Sequence, residues 1–165
     1  PSACPRGTFA DGNGYTFFKR LPDRTIPSLE IMALAKESLA AGGFLSDMRT
    51  RDMLLVGYSS GAIFSTALLA AVAGEFLGAI LIRPEHFALE LELTVLDEKP
   101  VLVISGERDQ RRHPRDGFLV AEQLSKAGAR VTHHHLDTGH GWASDDQDLI
   151  LSKAWMDQTF KVTRE

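Results

Sequence analysis

Between two apolar runs of this 165-residue chain lies Gly57-Tyr58-Ser59-Ser60-Gly61, and it leaves the backbone few options. Met53-Leu54-Leu55-Val56 leads directly into it, and the small-residue apolar run from Ala62 to Val72 leads out. A β-like run followed without a loop by a helix-like run demands a sharp turn, with Ser59 at its apex. A serine held there projects its hydroxyl beyond the strand end, while the backbone N–H of Ser60 points to the same spot. Acyl transfer needs such a nucleophile and such a donor to a developing oxyanion. The flanking glycines, Gly57 and Gly61, are expected where a Cβ would strike neighbouring backbone.

The rest of the chain alternates in the same way. Residues 5–25 hold Pro5, Gly7, Gly12, Gly14 and Pro22 and read as an irregular segment around the cluster Tyr15-Thr16-Phe17-Phe18. A helix follows Pro27, with Ile31, Leu34, Ala35 and Leu39 on one face and Gly42-Gly43 as its stop. Then come a strand over 52–57, a helix over 60–73 closed by Gly74, a strand over 77–82, and a connector over 84–98 of no fixed type. The apolar strand 101–105, a helix over 116–127 with Val120, Ala121 and Leu124 inward, and a strand over 130–136 continue the pattern. A last helix over 147–160 carries Leu151, Ala154 and Trp155. Strands separated by helices predict one α/β domain over 1–165, a mostly parallel sheet with helices on both faces.

Composition narrows the function classes. A 44% hydrophobic content supplies one core, and the longest apolar run, Ala62–Val72, is about half the ~20 residues of a membrane span. With 18 basic and 22 acidic residues the net charge is −4, which argues against nucleic acid or an anionic membrane as partner. Cys4 is the single cysteine, so no intrachain disulfide or cysteine metal cluster can form, which is compatible with a cytoplasmic setting.

In a parallel sheet, chemistry gathers at the C-terminal strand ends. Three polar residues fall there in the order Ser, Asp, His: Ser59 after strand 52–57, Asp109 after strand 101–105, and His140 in Gly139-His140-Gly141-Trp142 after strand 130–136. That is the chain order of an α/β-hydrolase triad. Ser59 would be the nucleophile and His140 the general base, while Asp109 would hold the imidazole tautomer.

These residues carry a resemblance. Pro5-Arg6-Gly7, the Tyr15–Phe18 cluster, Leu55 to Ala62, Arg83-Pro84, Ile104 to Asp109 and Gly139-His140 resemble the phospholipase/carboxylesterase group of the α/β-hydrolase fold, small serine esterases related to acyl-protein thioesterases. The likeness runs over nearly the whole chain. It implies hydrolysis of small-molecule carboxylic esters or thioesters with no metal and no organic cofactor. One departure stands out: no His-Gly-x-Gly precedes Ser59 to supply the second oxyanion donor. The expectation is an N-terminally truncated version of the fold that starts near its fourth strand and leaves strand 52–57 as an apolar edge. A second copy of the chain could pair there as a homodimer. The contrasting reading is a hydrolase-like binding protein with impaired turnover for want of a complete oxyanion hole.

Other features have two readings each. Tyr15, Phe17, Phe18, Tyr58 and Trp142 are candidates for a substrate pocket, with core packing the alternative for Tyr15, Phe17 and Phe18. Arg111-Arg112-His113-Pro114-Arg115 is a solvated basic turn or a lure for a substrate carboxylate. His133-His134-His135 is not expected to bind a metal, because successive strand residues point to opposite faces; solvated positions are the expectation.

Overall fold

The computed structural model describes residues 7–40, 53–72, 75–89 and 96–160. Four strands, β3 (Leu54–Tyr58), β4 (Gly78–Ile82), β5 (Pro100–Gly106) and β6 (Arg130–Leu136), form one sheet in the order β3-β4-β5-β6, parallel at every pairing. Helices α1 (Ser28–Ala40), α2 (Ser60–Ala71), α3 (Asp116–Lys126) and α4 (Gln147–Thr159) alternate with them. Ahead of α1, β1 (Phe9–Asp11) and β2 (Gly14–Thr16) pair antiparallel.

Alternation along β4 and β5 builds two cores. Ala79, Leu81, Val101 and Val103 point to one face and pack with Ile31 and Ala35 of α1, Ile63, Phe64 and Leu69 of α2, and Val120 and Leu124 of α3. Ile80, Ile82, Leu102 and Ile104 point to the other and meet Trp155, Leu151 and Met156 of α4. Successive strand residues face opposite sides, so two apolar layers require the unbroken apolar runs of these strands. Each fully buried Leu or Ile there contributes about 1.5–3 kcal/mol. Helix α2 is buried from Ala62 through Leu69, as a helix wedged between the sheet and another helix must be.

Several expectations change in detail. Residues 9–16 form a hairpin instead of irregular chain, joined through Asp11-Gly12-Asn13-Gly14. Ala154 is exposed, not inward, since α4 touches the sheet through Leu151 and Trp155. Strand β3 does stand at a margin of the described sheet, but only Val56 is strongly exposed, at 64%. Leu54 packs beneath the sheet, and Met53 and Leu55 pack above it. The proposed stops at Gly42-Gly43 and Gly74, the side chain of Leu39, and Cys4 lie outside the described residues.

Candidate active site

Ser59 caps α2 immediately after β3, at φ 55° and ψ −117°, a backbone conformation that L-residues rarely adopt. The surroundings hold it there: its N–H donates to Ile82 O at 2.9 Å, and its carbonyl accepts from Ala62 N at 3.0 Å and Ile63 N at 3.2 Å. Gly57 is required by close approach. A Cβ there would lie 2.6 Å from the Gly61 carbonyl carbon and 2.7 Å from Ala62 Cα. Gly61 is a correction to the sequence reading, because a Cβ on it would meet nothing within 4 Å. Ser60 opens α2, so its N–H is among the first-turn amides that have no acceptor within the helix.

Asp109 follows the end of β5 and is 7% exposed. Its Oδ1 accepts from Arg111 N at 2.8 Å, and its two oxygens lie 3.0 and 2.8 Å from His140 Nδ1. His140 Nε2 lies 2.8 Å from Ser59 Oγ. With Nδ1–H donating to the carboxylate, Nε2 is left to accept from the serine hydroxyl. The structure therefore brings together the three residues singled out at the strand ends.

The loop carrying His140 is fastened from several sides. Gly106 lets it approach: a Cβ there would lie 2.6 Å from Thr138 O and 2.8 Å from Gly139 O. Arg83, buried at the end of β4, donates from Nε to Gly139 O at 3.0 Å and from Nη2 to Gly141 O at 3.3 Å. Tyr58 Oη donates to His140 O at 2.6 Å, and its ring stacks on Trp142 at 5.8 Å. Burial pushes the His140 imidazole below its ordinary value. Asp109 opposes that shift through its hydrogen bond and charge, and the Arg112 and Arg111 guanidiniums reinforce it. The net balance favours the free base of the imidazole.

Arg112 stood in the sequence reading only as one of the basic run 111–115, a solvated turn or a lure for a substrate carboxylate, yet its Nη2 donates to Ser59 Oγ at 2.9 Å. Nε donates to Arg83 O at 3.2 Å, and Nη1 donates to Arg111 O at 2.9 Å and sits 3.1 Å from Glu85. Glu85 in turn is gripped by Arg20 at 2.7 and 2.5 Å. The only signal was the run of basic residues following Asp109.

A cavity of about 370 Å³ opens in front of Ser59 and Ser60. Of the five aromatic candidates, Phe18 lines it. Phe17 does not, because its ring lies parallel on Phe64 at 4.3 Å within the core. Tyr58 and Trp142 support the His140 loop from outside the cavity, and Tyr15 lies half-exposed on the hairpin. His133 and His135 share one face of β6, and both reach Ser105 Oγ at 2.8 Å, with the Phe118 ring against them; His133 is half-buried there, while His135 is exposed, as expected. Among the described residues no cluster of three or more His, Cys, Asp or Glu is placed to hold a metal ion, and no helix is long and apolar enough to cross a membrane.

No protein-family model and no curated protein matches the chain. Solved structures do. The Bacillus cereus carboxylesterase aligns over 94% of this chain and 74% of its own, with a TM-score of 0.80 at 24% identity. A carboxylesterase from Mesorhizobium loti aligns over 90% and 72%, with a TM-score of 0.78 at 22% identity. The chain has the α/β-hydrolase fold of these enzymes. SOBER1 of Arabidopsis thaliana is similar over 86% of this chain and 70% of its own, with a TM-score of 0.66 at 13% identity.

Proposed function

We propose that the chain is a serine hydrolase that cleaves small carboxylic esters or thioesters through an acyl-enzyme on Ser59. One observation carries this reading: the continuous relay from Ser59 Oγ to His140 Nε2 at 2.8 Å and from His140 Nδ1 to Asp109 at 2.8 Å, with its serine on a strained elbow.

In this reading Ser59 Oγ attacks the substrate carbonyl while His140 Nε2 takes its proton. The tetrahedral oxyanion collects the Ser60 N–H, and the Arg112 guanidinium adds positive charge beside the forming alkoxide. Asp109 stays ionised and stabilises the imidazolium. His140 then hands the proton to the departing alcohol or thiol, leaving the acyl group on Ser59. Water enters, gives a proton to His140 and attacks the acyl carbon. Return of that proton to Ser59 Oγ releases the acid.

A fluorophosphonate probe read by intact mass tests the reading. One adduct should form on the wild type and none on Ser59→Ala, with p-nitrophenyl acetate hydrolysis lost in the same variant. Labelling that persists in Ser59→Ala would overturn the assignment. Labelling of the wild type without turnover of any ester would instead mark a binding protein built on this fold.

A further inference from the structure

The cavity in front of Ser59 is unlike the apolar slot that a neutral acyl chain prefers. Lys19, Arg20, Arg111 and Arg112 stand on its wall against one carboxylate, Asp11. Glu85, behind the wall, bridges Arg20 and Arg112 and offsets one further charge, and Asp109 behind His140 offsets another, which leaves a surplus of one cation facing the nucleophile. Apolar cover comes from few side chains, Phe18 and Ile63 among them.

Arg112 is the informative member. Its side chain is only 9% exposed, and acceptors on Arg83, Arg111 and Glu85 fix its plane, so it cannot swing into water as a surface arginine would. Taking a guanidinium out of water is costly, and burial is the main influence on its ionisation. Such a charge held beside a reaction centre is stabilised when an anion enters the site. Arg111 lies exposed at the same rim, tied through its backbone to Asp109, and its side chain is free of the contacts that fix its neighbour.

Building on the esterase reading above, we infer that the substrate carries a carboxylate, which the Arg111–Arg112–Lys19 side of this cavity binds while its ester or thioester carbonyl sits on Ser59. The anion selects the substrate by complementarity of charge, and the reaction remains ordinary acyl transfer.

Two pairs of esters differing by one charge test this on the full chain. Monoethyl succinate against ethyl butyrate places the carboxylate on the acyl side; 4-acetoxybenzoate against phenyl acetate places it on the alcohol side. Hydrolysis is followed by acid release. At low salt, kcat/KM for the charged member of at least one pair should exceed its neutral partner by about tenfold, the worth of one arginine–carboxylate contact. The ratio should fall as sodium chloride is added, and Lys19→Gln/Arg111→Gln should bring it towards one. Succinate should also slow fluorophosphonate labelling of Ser59, a readout that needs no turnover. Equal or neutral-favouring rates in both pairs would overturn the inference and leave the esterase reading standing, as would a charge preference that neither added salt nor the double substitution diminishes. Absence of both ester hydrolysis and labelling would instead remove the esterase reading on which it rests.

Discussion

Arg83 and Asp148 meet with neither side chain exposing any surface: Nη1 makes a charge contact with Oδ1 at 2.9 Å, and Nη2 donates to Oδ2 at 3.0 Å. Asp148 also accepts from Ala143 N at 2.8 Å. The pair thus joins the end of β4 to the start of α4, and the loop bearing His140 lies between the two. Removing one partner from a buried pair leaves an uncompensated charge, whereas replacing both by apolar groups is often close to neutral. Arg83→Met should therefore cost about 3–5 kcal/mol in urea unfolding. Arg83→Met/Asp148→Leu should regain much of that stability without regaining esterase activity, because Gly139 O and Gly141 O would still lack their donors. A double variant with wild-type activity would show that the clamp does not position the base.

The pH dependence follows from the imidazole. Burial and the Arg112 and Arg111 charges penalise the protonated form of His140, and Asp109 only partly restores it. The acid limb of kcat/KM should accordingly fall below the ordinary imidazole value of about 6.5. Arg111→Gln removes one lowering influence and should move that limb upward. Asp109→Asn removes the raising influences and the correct tautomer together, so kcat should fall by orders of magnitude, about 10⁴-fold being the size of this effect in a serine protease. A limb at or above the ordinary value in the wild type would contradict this account.

The two glycines of the elbow should behave differently. Gly57→Ala pushes a methyl into the backbone of Gly61 and Ala62, and should abolish labelling of Ser59 or leave the protein insoluble. Gly61→Ala places a methyl in open space at the start of α2, so labelling should persist and stability should rise by up to about 1 kcal/mol. Thermal melts and probe labelling of both variants decide the matter.

Arg112→Gln keeps a hydrogen-bond donor of reduced reach and deletes the charge beside Ser59 Oγ. The expected loss is in kcat, by about 10²-fold, the scale of removing one donor from an oxyanion site. A change confined to KM would restrict Arg112 to substrate binding.

What could be read from the sequence was whatever rests on local pattern. The apolar runs of β4 and β5 gave the two-faced sheet, and the strand ends located Ser59, Asp109 and His140 before any geometry was known. What could not be read depends on partners distant in the chain. Nothing near Arg83 announces Asp148, 65 residues on. Nothing in Arg111-Arg112 says which guanidinium turns inward, since Glu85 and the carbonyl of Arg83 decide that. His133 was expected to be solvated but is half-buried, because its partner, Ser105, sits on the neighbouring strand, where register decides the meeting. The hairpin of residues 9–16 turns through Asp11-Gly12-Asn13-Gly14, but among the many glycines and prolines of residues 5–25 that turn read only as irregular chain.

The sheet order carries one more consequence. Ser59 follows β3 and Asp109 follows β5, and these strands never touch; β4 lies between them and brings Arg83 to the same rim. No single hairpin or βαβ unit of this chain can therefore hold a working relay, and every closure joining the parts spans dozens of residues. During refolding, helical content and hydrophobic collapse should return early, whereas esterase activity should return in the slowest phase, after β3 and β5 have both docked on β4. In the serine-hydrolase reading, turnover would double as a stopwatch for completion of the sheet.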